Sequence, residues 1–573
     1  MSAAAGCFDR CEPAMKALTA AEMREVDRLT TERLGIPSLE LMEAAGKHVA
    51  DACLRNLQSV GASSQRICVL CGKGNNGGDG FVAARHLQRA AADVRVYLFA
   101  RAEELRGDAG ANFQRWCEGG GKVTGVPDEA AWKSVWGEIA GADVIVDAIF
   151  GTGFRGTAAG AIRQAIEDIN RLSRDATAAR PRLILAIDTP SGLPSDGPAA
   201  EGPVLRAHHT VTFTAPKLGQ LISHDASAAG GLEVVDIGSP RAIVDEIAQG
   251  SSRWIEPREF AGLPLVRSVD SHKGLYGHVL VVAGSLGKSG AAVMAGHAAL
   301  RAGAGLVTVA TPEAVLLEVA GAHPEYMTEP LLATDAGTAS KRNLVDSPPL
   351  PDSTSREAID KFTKGTKLRF ARIEEGKTVL AVGPGLGAHP ETQEFIRGVV
   401  LHTYRPVILD ADGLNAFAGY ADKLRDCKTE FLAITPHPGE MARLLNTSIK
   451  AAEEDRVKTA REAAKDWNAF VVLKGFHTVV AAPDGQVFVN TSGNAGLAKG
   501  GSGDVLTGVL AALTGQFGTD NWVTVLALGV YLHGLAAEIA ATGTDLSGLL
   551  ASDVVSAIPA ARRRLVLELQ RRG

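Results

Sequence analysis

Residues 494–508, NAGLAKGGSGDVLTG, hold the sharpest chemistry in the chain. The core of this run, GGSGD, sets four small residues directly before Asp504, and an apolar, helix-compatible stretch follows. Glycines let backbone N–H groups close on an anion without side-chain obstruction. A helix N-terminus behind them adds a field that favours negative charge. A carboxylate at the lip of such a nest can take a proton from an alcohol while the nest holds a moving phosphoryl group. The plainer alternative is a glycine loop before a helix, with Asp504 as its cap.

A second glycine-rich stretch argues for a second site. Residues 66–80, RICVLCGKGNNGGDG, read as a strand, then glycines, then a helix from Phe81 to Ala90. Gly72, Gly74 and Gly77 match the dinucleotide spacing GxGxxG. The acidic residue that should then hold a ribose is missing, because the next apolar run, 94–100, ends at Arg101. Asn75, Asn76 and Asp79 are also foreign to that pattern. Their oxygens suit a hard cation, and glycine amides suit a phosphate. A strand-to-helix turn whose asparagines supply unusual dihedrals is the alternative.

These loops need elements to hold them, and 573 residues allow two or more domains. From Leu18 to about Gly238, short β-branched runs at 66–71, 94–100, 143–149, 182–187, 210–214 and 232–236 alternate with amphipathic helical patterns. That rhythm predicts a parallel sheet covered on both faces, with ligands at the strand carboxyl ends. Residues 239–270 change character and mark a boundary. A second α/β rhythm starts at His278 and runs through 306–310, 378–382, 406–409, 431–434 and 470–474. The polar stretch 333–376, with its low-complexity core SPPLPDSTSREA, is expected to be a mobile insert. The domains expected are 1–240 and 260–573.

Composition sets the limits. Hydrophobic residues make up 46% and charged residues 22%, as in an ordinary soluble protein, and the net charge of −6 argues against a nucleic-acid-binding surface. Seven cysteines in so long a chain do not make a disulfide framework, and Cys68 and Cys71 lie in or beside a buried strand. The N-terminal residues lack an uninterrupted apolar segment, and the apolar run 523–541 contains His533, Gly534 and Glu538, so it reads as a packed helix. No membrane span and a cytoplasmic location are expected.

Three further strand-end loops in the first half are polar in a coherent way. DAIFGTGFRG carries Asp147, whose buried carboxylate needs a partner. AIDTPSGL carries Asp188 and Ser191, with a turn or helix cap as the plainer role for Asp188. FTAPKLG carries Lys217. With GNNGGDG, and in this order, these loops resemble the NAD(P)H-hydrate epimerase domain over about residues 18–240. The resemblance implies a potassium ion held by Asn76, Asp147 and Ser191. It implies substrate binding by Asn75, Asn76, Gly77, Gly78 and Asp79, by Gly151, Thr152, Gly153, Phe154, Arg155, Gly156 and Thr157, and by Asp188. Asp188 is the best-placed proton shuttle for inverting carbon 6 of the hydrated nicotinamide.

The second half offers AVGPGLG, LDADGLN with Asp410 and Asp412, TPHPGEMARL with His437 and Glu440, and LKGFHTVV with Lys474. Singly, His437 suits a helix cap and Lys474 a surface lysine. Together with GGSGD they resemble the ribokinase-like NAD(P)H-hydrate dehydratase domain over about 260–570. The resemblance implies hydrate binding near Ala292, Gly387, His437 and Asp504, with Asp504 catalytic. It implies nucleotide contacts from Lys474, Gly475, Phe476, His477, Thr478 and Gly503. Lys499, Gly413 and Ala495 depart from the family's pattern, and Lys499 could alter phosphate affinity.

The joint reading is an α/β protein of two three-layer αβα domains, an N-terminal Rossmann-like epimerase and a C-terminal ribokinase-like dehydratase. Its substrates are NAD(P)H hydrates and an adenine nucleotide, ADP rather than ATP on resemblance alone. Mg2+ is expected for phosphoryl transfer, with Glu440 a candidate to orient its water shell. A homo-oligomer is expected. The competing reading is a small-molecule kinase fused to a dinucleotide-binding module, which a stable phosphorylated product would favour.

Overall fold

The computed structural model describes residues 15–59, 66–90, 92–173, 182–196, 199–248, 252–344, 369–518 and 521–572. The chain divides into two compact units, with the break between Ser252 and Arg253.

In the first unit, seven parallel strands form one sheet: β1 (Arg66–Cys71), β2 (Asp93–Leu98), β3 (Val123–Gly125), β4 (Val144–Ala148), β5 (Leu183–Ile187), β6 (His209–Phe213) and β7 (Gly231–Val235). The spatial order is β3-β2-β1-β4-β5-β6-β7. The strands are apolar throughout because both faces are buried. Ile67, Val69, Val144, Val146 and Leu185 face one cluster with Ala45, Val49, Phe81 and Leu87. Cys68, Leu70, Ile145 and Ile184 face another with Trp132, Ile139, Ile166 and Ile169. Helices Ser38–Ser59 and Asn75–Arg89 thus cover one face, and Glu129–Ala140 and Gly160–Ser173 the other. The connections diverge on either side of β1, which opens a crevice at the carboxyl ends of β1 and β4.

The second unit holds β8 (Arg253–Trp254), β9 (His278–Val282), β10 (Leu306–Pro312), β11 (Met327–Leu331), β12 (Val379–Val382), β13 (Val407–Leu409), β14 (Leu432–Ile434), β15 (Phe470–Leu473), β16 (Thr478–Ala481) and β17 (Val487–Asn490). Their order is β8-β17-β16-β15-β14-β13-β12-β9-β10-β11. Pairing is parallel except for β16, which runs antiparallel to both neighbours. Odd-numbered residues such as Val279, Val281, Val379 and Ala381 join the core with helices Ser289–Arg301, Ser502–Phe517, Trp522–Ala540 and Ala551–Arg572. Their alternates Leu280, Val282, Leu380 and Val382 are equally buried, so this sheet is also covered on both faces. Trp522–Ala540 is apolar and long enough to cross a membrane, but 78% of it is buried among its neighbours.

Three local features differ from the sequence reading. The helix after β1 starts at Asn75, not Phe81, so the NNGGD residues form its first turns. The β16–β17 hairpin, absent from the sequence reading, turns at Asp484-Gly485, where Gly485 takes φ 92°. Residues 345–368, the centre of the expected mobile insert, lie outside the described residues. Its flanks are packed: the Asn343 side chain accepts from Leu332 N at 2.9 Å, and Ser340 donates to Glu391 at 2.8 Å.

Ser502–Phe517 packs on Ser289–Arg301 through Gly508, where a Cβ would sit 2.2 Å from the Ala295 carbonyl oxygen. Gly508→Ala should force the helices apart and destabilise the second unit by about 1–3 kcal/mol, the usual cost of overpacking. Calorimetry should show the second unit's transition lowered and the first unit's unchanged.

Candidate active sites

A cleft of about 1010 Å3 opens at the switch point of the first sheet. Its lining includes Asn75, Asn76, Asp79, Gly151, Thr152, Gly153, Phe154, Arg155, Asp188 and Lys217. Asp188 follows β5 with φ 60°, a strained value for an aspartate. Its N–H donates to the Val211 carbonyl at 2.8 Å, and Gln220 donates to its carbonyl. The carboxylate Oδ1 meets Lys217 Nζ at 2.6 Å and accepts from Thr212 Oγ1 at 3.0 Å. Lys217 is itself buried and donates further to Thr212 Oγ1 at 2.9 Å and to the Phe213 carbonyl at 3.0 Å. Asp188 is not a helix cap; it is the central residue of a tight turn closed by Thr189 N, which donates to the Ile187 carbonyl at 2.7 Å. It is one half of a buried ion pair facing the cleft.

Asp147 lies beneath that cleft and is fully buried. Ser191 Oγ donates to its Oδ1 at 2.6 Å, and Ser191 N donates to its Oδ2 at 2.7 Å. Phe150 N donates to Ser191 Oγ at 2.9 Å, while Asn76 Nδ2 donates to the Phe150 carbonyl at 2.9 Å. One hydrogen-bonded chain thus ties together the three residues expected to hold potassium. Asn76 Oδ1 is buried and has no hydrogen-bond partner. Burial pushes the Asp147 carboxyl up to about 6, partly offset by the Ser191 donors. An unpartnered amide oxygen, a hydroxyl with a free lone pair and a buried carboxylate fit a hard monovalent cation.

Not every expected residue lines the cleft. Gly77 and Gly78 are packing positions: a Cβ on Gly77 would lie 1.9 Å from the Gly72 carbonyl oxygen, and one on Gly78 would lie 2.7 Å from Met42 Sδ. Gly156 and Thr157 fall outside the lining. Asp79 is buried at the cleft wall, and burial together with Asp188 and Asp27 holds its carboxyl well above the usual range.

In the second unit, β13 ends at Leu409 and delivers Asp410 into the interior. Its Oδ1 meets Lys474 Nζ at 2.7 Å, and its Oδ2 accepts from Thr507 Oγ1 at 2.7 Å. Lys474 is mostly buried and lies 3.8 Å from Glu440, so it is not a surface lysine. Burial acts to lower its ammonium, but Asp410 and Glu440 outweigh this and hold it above its ordinary value. Asp504 stands in the first turn of Ser502–Phe517, which begins after Gly501 at φ 93°. Burial, with Asp410 adding to it, raises the Asp504 carboxyl to about 6 against the opposing pull of Lys474. Gly503 leaves the gap: a Cβ there would lie 3.3 Å from Lys474 Nζ.

The loop from Lys474 to Thr478 is fixed from behind. Arg456 donates to the carbonyls of Leu473, Lys474, Phe476 and His477. His437 does cap helix Pro438–Leu444, accepting from Gly439 N at 3.0 Å through Nδ1, yet half of its side chain stays exposed. Gly387 N donates to Asp412 Oδ2 at 2.8 Å. Ala292 is fully buried and is not brought to the surface of the site. The departures have local causes. Lys499 Nζ donates to the Ser547 carbonyl at 2.8 Å. Gly413 could not be alanine on this backbone, since its Cβ would lie 2.8 Å from the Val382 carbonyl oxygen.

Sequence reasoning named Lys217 and Asp410 only within motifs. Their common signal is a charged residue close after a run of buried apolar residues.

Comparison with known proteins follows the same division. Residues 279–560 match the family described as NAD(P)H-hydrate dehydratase, and residues 38–219 match the YjeF-related protein N-terminus. The chain is 42% identical to a bifunctional NAD(P)H-hydrate repair enzyme of Moorella thermoacetica, over 97% of this chain and 98% of that one. It is 36% identical to one of Thermofilum pendens, over 96% and 97% of the two chains. A solved Bacillus subtilis ADP/ATP-dependent NAD(P)H-hydrate dehydratase is 30% identical, covers 55% of this chain and 98% of its own, and gives a TM-score of 0.44. With both halves matched and the relatives aligned nearly end to end, the chain belongs to the bifunctional NAD(P)H-hydrate repair enzymes.

Proposed function

We propose that the cleft of the first unit interconverts the R and S forms of hydrated NADH and NADPH, and that the second unit dehydrates the S form with an adenine nucleotide. The observation that carries this reading is Asp504. It is a half-buried carboxylate in the first turn of a helix, beside Lys474, in a chain aligned over 97% of its length with a bifunctional NAD(P)H-hydrate repair enzyme.

In the dehydratase, Asp504 accepts the proton of the 6-hydroxyl as that oxygen attacks the terminal phosphoryl group of the nucleotide. Backbone N–H groups of the glycine turn hold the phosphoryl in flight. Gly503 and the Lys474–Thr478 loop hold the nucleotide, and His437 and Gly387 border the hydrate. The C6–O bond then breaks with phosphate as the leaving group, a proton passes from carbon 5 to water, and its electron pair forms the C5–C6 double bond of the reduced nicotinamide. Asp410, Glu440 and Asp504 set three carboxylates against the one ammonium of Lys474. Among the described residues no group of three acidic or histidine side chains is placed to hold a metal ion, so Mg2+ would arrive on the nucleotide, where it would neutralise phosphate oxygens, with Glu440 a candidate to orient its water shell.

In the epimerase, Asp188 is the proton shuttle for inversion at carbon 6, with Lys217 keeping its carboxylate oriented. Asn76, Asp147 and Ser191 would hold potassium, which would supply positive charge beside substrate phosphate. We infer ADP as the preferred nucleotide and a cytoplasmic homo-oligomer as the working form.

Incubating mixed hydrate epimers with and without nucleotide, followed by chromatography, tests the whole reading. Epimers should interconvert in both cases and vanish only with nucleotide. A stable phosphorylated hydrate would instead favour a kinase. Initial rates with ADP should exceed those with ATP, and the reverse order would overturn that choice.

Asp504→Ala should cut dehydration at least ~100-fold, the scale of a general base, and leave epimer interconversion near wild type. In the wild-type protein, dehydration should fall as pH drops through about 6, because protonated Asp504 cannot accept the hydroxyl proton.

Potassium binding to the folded first unit should raise its melting temperature relative to tetramethylammonium at equal ionic strength. A shift of about 3 °C corresponds to ~1 kcal/mol for a domain of this size. Asp147→Ala should erase the difference, and equal melting of the wild type in both salts would refute the potassium site.

A further inference from the structure

Asp27 projects from helix Ala20–Leu34 into the lining of the epimerase cleft, which it shares with Asp188, Lys217 and Asp79. The neighbouring turns, with Met23, Val26 and Thr30, are buried. An aspartate here is not required by the helix, whose N-cap is already satisfied by Thr19 and Glu22. Asp27 Oδ1 is buried and has no hydrogen-bond partner. A carboxylate left in that state is costly, whereas a carboxylic acid is much less so. Asp188 is placed differently, with its carboxylate held against Lys217 Nζ at 2.6 Å and Thr212 Oγ1 at 3.0 Å. One cleft thus presents a carboxyl with an unpartnered buried oxygen and a carboxyl held by a lysine, an unequal pair that can divide acid and base roles.

We propose that Asp27 is a further catalytic residue of the epimerisation, acting as the acid that complements Asp188. The proposal rests on reading this cleft as the epimerase. The protonated Asp27 gives its proton to the 6-hydroxyl, the C6–O bond breaks, and water leaves. The ring-nitrogen lone pair forms the N1–C6 double bond, so the ring becomes an iminium ion. Water then adds to carbon 6 from the other face and gives its proton to Asp188. The nitrogen recovers its lone pair, and the net change is inversion at carbon 6. A proton passes back from Asp188 to Asp27 through cleft water, and the reverse reaction exchanges the two roles. The Asp27 carboxyl is raised to about 6 by burial, offset by Lys217 and reinforced by Asp188, so a fraction carries the required proton near neutral pH.

The test uses the full chain and mixed epimers without nucleotide. Absence of epimerisation by the wild type would sink the epimerase reading itself, along with this proposal. Given an active wild type, Asp27→Asn should lower kcat at least ~100-fold with little change in KM, and Asp27→Glu should recover part of the loss. An Asp27→Asn chain that folds and keeps wild-type kcat overturns the role of Asp27. Should that variant not fold, the wild type in 18O-labelled water decides. Each inversion should place one labelled oxygen at carbon 6, and inversion without label rules out the step.

Discussion

A charged group taken out of water at the edge of a sheet is unstable unless an opposite charge and hydrogen bonds meet it. Each unit of this protein solves that problem with a lysine and an aspartate at strand carboxyl ends. In the first, Lys217 and Asp188 meet at 2.6 Å, and in the second, Lys474 and Asp410 meet at 2.7 Å. Removing one member of such a pair strands the other, at a typical cost of ~3–5 kcal/mol. In the function proposed above the pairs serve stability and chemistry together, each holding a carboxyl group in a fixed place.

The two pairs are used differently. Asp188 is itself the group that faces the cleft, and its left-handed backbone at φ 60° is maintained by the Val211 and Gln220 bonds. Asp410 is fully occupied by Lys474 and Thr507. In the dehydration proposed for this unit its influence is exerted on Asp504, where its negative charge joins burial in raising the carboxyl to about 6. A base with a raised affinity for protons is well matched to an alcohol at neutral pH. The packing glycines behind these groups are equally constrained, since Gly383 would place a Cβ 1.8 Å from the Asp410 carbonyl oxygen.

Much of this was legible in the sequence. Two parallel α/β sheets followed from apolar runs alternating with amphipathic helices, and strands such as Arg66–Cys71 and His278–Val282 sit where those runs lie. The loop aspartates stood out because a carboxylate after a buried strand demands a partner. The partners were harder to read, because nothing local joins Lys217 to Asp188 or Lys474 to Asp410, which lie 64 residues apart. The start of the helix at Asn75 was missed because NNGGDG has poor helix propensity. Tertiary packing overrides it: Gly77 and Gly78 let that helix approach Gly72 and Met42 closely. Asp27 gave no signal, since an acidic residue in an amphipathic helix ordinarily faces solvent.

The central claim is that two independent carboxylate sites divide the repair between them. An Asp188→Asn chain given both hydrate epimers and nucleotide tests it in one time course. The account predicts that the S form is consumed at the wild-type rate and that reaction then stalls, with the R form left to its slow spontaneous inversion. Consumption of the R form as fast as in the wild type would contradict it.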